Sequence, residues 1–332
     1  MTEISPGIYQ LKIPLPKNNP LGNTNSYLIQ GDGEYLLIDP GMNNDAAFDA
    51  LQKELTEIGV AFKDITRILA THSHGDHYGL TGRVKQLSQA KILVHHLARD
   101  IIQAMSENRQ ERTRQMEQWL HLNGVPSFDP SEFQRAAPGM PRFTKPTMPD
   151  VVLQGDETIV VGRFSLKVLW TPGHDPGHIC LYETAQKIFF SGDHVLPVIT
   201  PHISLQTQFE DNPLGDFLNS LNMVKRLEVN LVLPAHEQTF TNLQARVDEI
   251  IQHHRQRNSE ILAAIKTEPK TAYQISTEVT WMPSLGGVKF QALAPGDKRM
   301  AVSETLAHLE AMRVDGMVDK SPRDSIIYYQ PT

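Results

Sequence analysis

The chain has 332 residues, 40% of them hydrophobic and 21% charged, with a formal charge of −7. These are values of an ordinary folded chain about two domains long, not of a disordered polyelectrolyte. Cys180 is the only cysteine, which excludes an intramolecular disulfide and argues against a metal site built on thiolates. No apolar run approaches the roughly 18 residues that a membrane span needs. The first residues show neither a basic start nor an apolar stretch, and the acidic balance disfavours generic polyanion binding. The expected location is the cytoplasm.

In chain order, Ile8 to Ile13 and Ser26 to Gln30 read as β-type runs, and the turn signal Gly31-Asp32-Gly33 precedes a further run from Tyr35 to Ile38. Ala47, Phe48, Leu51, Leu55 and Ile58 recur at the helical period, so a helix is expected over Asp45 to Glu57. A strand from Ile65 to Ala70 runs directly into Thr71-His72-Ser73-His74-Gly75-Asp76-His77. A helix from Leu80 to Ser88 and a strand from Lys91 to His95 follow.

The stretch from Leu97 to Asp150 breaks this rhythm. Ala98 to Leu122 has helical character and stops at Asn123-Gly124. Six prolines come after it: Pro126, Pro130, Pro138, Pro141, Pro146 and Pro149. A connector this long is either a functional cover or a linker, so residues 97–150 form an insert and a candidate lid. Met140, Phe143 and Met148, with Trp119 and Phe133, could line an apolar cover over an acyl group or form the insert's own small core.

Strand pattern returns at Thr158 to Val161 and Phe164 to Trp170, which leads into Thr171-Pro172-Gly173-His174. Ile179 to Glu183 and Lys187 to Phe190 form a hairpin ending at Ser191-Gly192-Asp193-His194. After a helix from Asp216 to Glu228, a strand from Leu231 to Leu233 meets Pro234-Ala235-His236. The tail reads as helices over Arg246 to Lys266, Ala272 to Val279 and Met300 to Asp315. A hairpin from Met317 to Tyr329 follows, turning through Ser321-Pro322-Arg323. Three helices and a β-ribbon outline a winged helix, and a boundary near 255 gives domains 1–254 and 255–332.

Each His- or Asp-bearing segment follows the C-terminal end of a strand, where short loops on rigid elements hold chemistry in place. His72-x-His74-x-Asp76-His77 places four nitrogen or carboxylate ligands within six residues, a set that suits zinc, iron or manganese. Residues two apart in an extended segment point the same way, so His72 and His74 can grip one ion. A turn at Gly75 then aims Asp76 and His77 at a second. His174 completes three nitrogens for the first ion, His236 completes three ligands for the second, and Asp193 can bridge both with its two oxygens.

This ordered set, Thr71-His-x-His-x-Asp-His77 followed by His174, Asp193 and His236, resembles that of the metallo-β-lactamase superfamily over roughly residues 5 to 250. The resemblance implies an α+β fold, an αββα sandwich of two mixed sheets with a dinuclear site at the edge between them. It also implies that Asp39, in Leu37-Ile38-Asp39-Pro40-Gly41, supports a metal ligand. The tail segment His254-Arg255-x-Arg257-x-x-Glu260-Ile261-Leu262, with its winged-helix-like outline, resembles the branch of lactamase-β-2-like proteins, to which RNA cleavage and thioester hydrolysis have been assigned.

Two bound divalent ions, zinc before iron or manganese, would hold a bridging water and lower its pKa toward about 7. The expected reaction is hydrolysis of an ester, thioester or lactone by that hydroxide, with Asp76 orienting it. Phosphodiesterase or endoribonuclease chemistry at the same centre is the alternative. His178 and His194 are candidate supports of a ligand or contacts to substrate, and His202 is a candidate substrate contact. His95, His96, His121, His253, His254 and His308 are read as ordinary structural residues. From Arg255 to Thr332 ten basic residues face nine acidic ones, and Met300 to Asp315 holds one basic residue, Arg313. A DNA-gripping winged helix normally shows a basic recognition helix. Nucleic acid is therefore not the favoured partner; a small or carrier-bound acyl substrate is, with no membrane and with homodimerisation as a role for the tail.

Overall fold

A computed structural model describes residues 1–17, 19–106, 109–126, 146–205, 212–282 and 286–332. The chain forms two compact units. The first takes Met1–Glu107, Pro141–Pro197 and Met223–Arg246; the second takes Asn108–Met140, Val198–Asn222 and Val247–Thr332. The second unit thus gathers chain from both sides of the boundary near 255 expected from sequence, including part of the 97–150 insert.

In the first unit, β1 (Thr2–Ser5), β2 (Ile8–Pro14), β3 (Asn23–Gly31), β4 (Glu34–Ile38), β5 (Arg67–Leu69), β6 (Lys91–His95) and β7 (Val151–Leu153) lie side by side in chain order. The pairs from β1 to β4 are antiparallel and those from β4 to β7 parallel. The change follows from the connections, because parallel neighbours need a crossover. Helix α1 (Asp45–Ile58) makes the first, and α2 (Gly75–Tyr78) and α3 (Thr81–Ser88) lie in the second. The Asn44 side chain caps α1 by accepting from Ala47 N at 2.9 Å, and Gly59 ends it in the left-handed conformation.

The second sheet has the order β12-β11-β10-β9-β8, built from β8 (Thr158–Val161), β9 (Phe164–Trp170), β10 (Ile179–Glu183), β11 (Ile188–Gly192) and β12 (Leu231–Pro234). Alternation along the strands of the first sheet sends side chains to two cores. Leu28, Leu37 and Ile68 pack with Leu51, Leu55 and Val84 of the helices. Tyr27, Ile29, Leu36, Ile38 and Leu69 pack against Phe164, Leu166, Val168, Leu181 and Phe190 of the second sheet. Each fully buried aliphatic side chain contributes roughly 1.5–3 kcal/mol, so both faces of the first sheet are fixed. The two-sheet sandwich is the expected one.

Several elements differ from the sequence reading. The strand expected over Ile65 to Ala70 is confined to Arg67–Leu69. The single helix expected over Ala98 to Leu122 is two, α4 (His96–Ser106) and α5 (Arg109–Leu122). The expected stop at Gly124 is present: Gly124 N donates to His121 O at 3.0 Å and Val125 N to Leu120 O at 3.0 Å, a double closure that left-handed Gly124 permits. Pro130, Phe133, Pro138, Met140, Pro141 and Phe143 lie outside the described residues.

With α6 spanning Pro213–Val224 and α7 spanning Leu243–Ala264, the second unit contains α5, α6 up to Asn222, α7 from Val247 onward, α8 (Ala272–Glu278) and α9 (Pro295–Val314). A small pair of strands, β13 (Thr280–Trp281) and β14 (Val288–Lys289), precedes α9, and the hairpin of β15 (Val318–Arg323) and β16 (Ile326–Pro331) follows it. Its core joins Ile261, Ile275, Trp281, Phe290, Leu306, Leu309, Met312 and Tyr329. Trp119 packs against this cluster. Val314, expected with Leu306, Leu309 and Met312, is 61% exposed.

The hairpin turns through Asp324-Ser325, not Ser321-Pro322-Arg323. Asp324 and Ser325 both have positive φ, 48° and 65°, as a two-residue hairpin turn of matching twist demands. Pro322 sits within β15 opposite Ile327, tolerated because a two-stranded ribbon consists of edges. Among the described residues no helix is long and apolar enough to cross a membrane.

Candidate metal centre

The centre is assembled in the first unit at the C-terminal ends of β4, β5, β9, β11 and β12. Asp39 follows β4 and is almost completely buried, with a φ of +50° that Asp tolerates better than most residues. Its Oδ1 accepts from Thr71 N at 2.7 Å and its Oδ2 from the Thr71 hydroxyl at 2.8 Å. The Thr71 hydroxyl thereby spends its proton on Asp39, so at 3.0 Å from His72 Nδ1 it must accept. His77 Nδ1 donates to Asp39 Oδ2 at 3.0 Å, and His236 Nδ1 donates to Asn23 O at 2.9 Å. The network assigns the Nδ1 proton to all three rings, so Nε2 is the nitrogen each ring can offer to an ion.

Those Nε2 atoms converge. His72, His74 and His174 form one group whose ligand atoms lie within 4.8 Å of one another, and Asp76, His77 and His236 form another. Asp193 touches both. Its Oδ2 is 3.5 Å from His174 Nε2 and 3.5 Å from His77 Nε2, while its Oδ1 is 3.5 Å from His236 Nε2. Asp76 Oδ2 lies 3.7 Å from His77 Nε2 and 3.5 Å from His236 Nε2. The structure therefore brings together His72, His74, Asp76, His77, His174, Asp193 and His236.

The residues fit a pair of divalent ions. Nε2 of His72, His77 and His236 and Oδ1 of Asp193 are buried and have no hydrogen-bond partner among the described residues, a costly arrangement unless something else fills those valences. Two ligands at bonds of roughly 2.0–2.2 Å on a tetrahedral ion sit about 3.3–3.6 Å apart; Asp193 lies 3.5 Å from His174, His77 and His236, and Asp76 lies 3.5 Å from His236. Electrostatics point the same way. Burial opposes charge on His77, yet Asp193, Asp76 and Asp39 hold its proton well above the usual range. Burial likewise opposes charge on His236, but Asp193 and Asp76 raise it to about 10. Burial also works against the charged carboxylates of Asp193 and Asp76, which His77 and His236 nonetheless hold well below their ordinary values. His72 moves the other way, lowered by burial and by its His77 and His74 neighbours. Carboxylates that retain protons on buried imidazoles would equally retain cations in their place.

The remaining candidates stand outside these groups. His178 uses both ring nitrogens, Nδ1 donating to Thr171 Oγ1 at 2.8 Å and Nε2 accepting from Asp193 N at 3.1 Å. It holds the backbone of Asp193. His194 is fully buried, its ring 6.0 Å from that of His178. His202 belongs to the second unit, where its Nδ1 meets Glu304 Oε2 at 3.0 Å.

Sequence reasoning passed over the start of β3, where Asn23, Thr24 and Asn25 support the Asp76–His77–His236 group. Besides Asn23 O on His236, Thr24 Oγ1 donates to Asp76 O at 3.1 Å. Asn25 Nδ2 donates to Pro234 O at 2.9 Å and to Glu237 O at 2.8 Å, bracketing His236. The available signal was a run of polar residues, Asn23-Thr24-Asn25-Ser26, leading into an apolar strand.

Residues 19–236 match the metallo-beta-lactamase superfamily. The chain is 24% identical over 328 residues to the probable metallo-hydrolase YqjP of Bacillus subtilis, covering 97% of each. It is 29% identical over 225 residues to the human acyl-coenzyme A thioesterase MBLAC2, covering 65% of this chain and 74% of that one. A solved metallo-beta-lactamase family protein of Thermus thermophilus superposes with a TM-score of 0.81 at 30% identity, over 99% of this chain and 100% of that one. Sequence match, sandwich and site geometry agree: the chain belongs to the metallo-beta-lactamase superfamily.

Proposed function

We propose that the protein is a dinuclear metal-dependent hydrolase acting on a small or carrier-bound acyl substrate, with thioesters ahead of other esters and lactones. The observation that carries this reading is the convergence of the buried, unpartnered Nε2 atoms of His72, His77 and His236 on the carboxylate of Asp193. His72, His74 and His174 would hold one ion, Asp76, His77 and His236 the other, and Asp193 both. The nitrogen and oxygen donor set suits zinc first, with iron and manganese also accommodated. When bound, the ions would supply Lewis acidity toward the scissile carbonyl and a water of lowered pKa.

The chain's own residues do the rest. Asp76 stays ionised between His77 and His236, and its side chain is 21% exposed, so one carboxylate of the set can face solvent and accept a hydrogen bond from the attacking water. Asp39 and Thr71 fix the rings of His72 and His77, and Asn23 fixes that of His236. Because the nucleophile is a water, no side-chain nucleophile is required; Cys180, fully buried, has its thiol pushed far up by that burial.

Thioesters are placed first because of the similarity to the acyl-coenzyme A thioesterase. The tail is read as winged-helix-like, serving assembly, not DNA binding. The test is a screen of zinc-loaded protein on acyl-coenzyme A, lactone and single-stranded RNA substrates. Thioester hydrolysis abolished by a chelator and restored by zinc is expected. RNA cleavage with silent acyl substrates would overturn the substrate class.

A further inference from the structure

A second polar contact lies inside the three-histidine group and is not part of the Asp39 network. Asp175 follows His174 and is completely buried. It opens the turn Asp175-Pro176-Gly177-His178, in which His178 N donates to Asp175 O at 3.1 Å and Gly177 N to Asp175 Oδ1 at 2.7 Å. One carboxylate oxygen satisfies the turn. The other, Oδ2, accepts from the Ser73 hydroxyl and faces Ser73 N at 3.4 Å. Ser73 is 3% exposed and sits between His72 and His74. One hydrogen-bonded pair, 102 residues apart in sequence, therefore ties the loop of His72 and His74 to the loop of His174.

The Asp175 side of this tie is fixed. A Cβ on Gly177 would collide with Ala98 N, so the turn packs directly on the backbone of α4, and Trp170 Nε1 donates to Pro176 O at 2.9 Å. Ser73 is thus drawn toward an anchored point, and His74 Nδ1 comes within 3.1 Å of His174 Nε2. The other half of the centre is held differently, by Asp39 on His77, Asn23 O on His236 and Thr24 on Asp76 O. None of those bonds passes through Ser73 or Asp175.

We propose that the Ser73–Asp175 pair is a positioning clamp that sets the affinity of the His72–His74–His174 half for its ion, independently of the Asp76–His77–His236 half. The inference rests on reading the two groups as ion sites. Neither residue touches an ion or substrate; both act through the spacing of His74 and His174.

The experiment is a zinc titration of metal-free protein against a chromophoric chelator, for wild type, Ser73→Ala and Asp175→Asn. Wild type is expected to take two ions. In each variant one ion should bind roughly 10–100-fold more weakly, the usual effect of removing support behind a ligand, with the other changed by less than about threefold. On a His174→Ala background Ser73→Ala should add nothing, whereas on a His236→Ala background it should keep its full effect. Two ions in wild type with unchanged affinities in both variants, or equal weakening of both ions, would overturn the clamp and leave the site reading intact. Loss of folding in either metal-free variant would assign the pair to the fold and overturn it as well. No ion in wild type would overturn the site reading itself.

Discussion

Asp39 Oδ2 lies 3.0 Å from His77 Nδ1, while both oxygens of the same carboxylate accept from Thr71, whose hydroxyl lies 3.0 Å from His72 Nδ1. One buried side chain thus sets the tautomer of a histidine in each half of the centre. Asp39→Asn keeps the shape but removes the charge and one acceptor. Zinc affinity should fall roughly 10–100-fold, affecting both ions because His72 and His77 both lose orientation. A chelator-competition titration reads this; loss at a single ion would show that Asp39 serves only His77.

Gly192 precedes Asp193 with φ of +52°, and a Cβ there would meet His178 Nε2 at 2.6 Å, the atom that accepts from Asp193 N. Gly192→Ala introduces both backbone strain and that collision. The expected outcome is a stability loss of about 1–3 kcal/mol, together with at least tenfold slower turnover from a displaced Asp193. Urea unfolding of the metal-free protein and steady-state kinetics check the two parts separately.

His178 can be tested without altering the glycine. His178→Leu leaves Asp193 N without its acceptor and Thr171 Oγ1 without its donor. Leaving buried polar groups unpaired costs about 1–3 kcal/mol, and turnover should fall while ion stoichiometry stays at wild-type level. Analysis of metal content beside kcat separates these; loss of one ion would make His178 a ligand.

Much of this centre was readable because its chemistry is local. His72, His74, Asp76 and His77 fall within six residues after one strand, so sequence spacing alone groups them. His174, Asp193 and His236 were readable as strand-end residues completing a ligand count. What escaped depends on contacts between distant segments. Asp175 meets Ser73 from 102 residues away, and Asn25 reaches Glu237 from 212 residues away; a pattern search along the chain has no access to either. The ring of His202, a candidate substrate contact, is engaged by Glu304, again 102 residues distant. Strands β1 and β7 have four and three residues, too short to show a period of two.

The second unit carries a buried histidine pair, with His254 Nδ1 3.3 Å from His308 Nε2 and His308 Nδ1 2.6 Å from Asn258 Oδ1. Burial, reinforced by His253, holds His254 at about 3, and burial with His254 beside it holds His308 well below its ordinary range. Both rings are neutral when folded, whereas the unfolded chain protonates them below about pH 6.5. The folded state therefore loses stability as pH falls from 6.5 toward 3. Between pH 6.5 and 5, before Glu304 begins to titrate, the thermal midpoint should fall by roughly 2–4 °C per pH unit for each ring involved. His254→Gln/His308→Gln should flatten that slope in differential scanning calorimetry; an unchanged slope would place the acid sensitivity elsewhere.

The number of divalent ions bound per chain, measured by elemental analysis after equilibration with zinc and gel filtration, tests the central claim most directly. Two ions in wild type, with fewer in both His72→Ala and Asp193→Ala and with a folded second unit in each, is the predicted result. Wild-type protein that retains no ion, or variants that retain both, would contradict it.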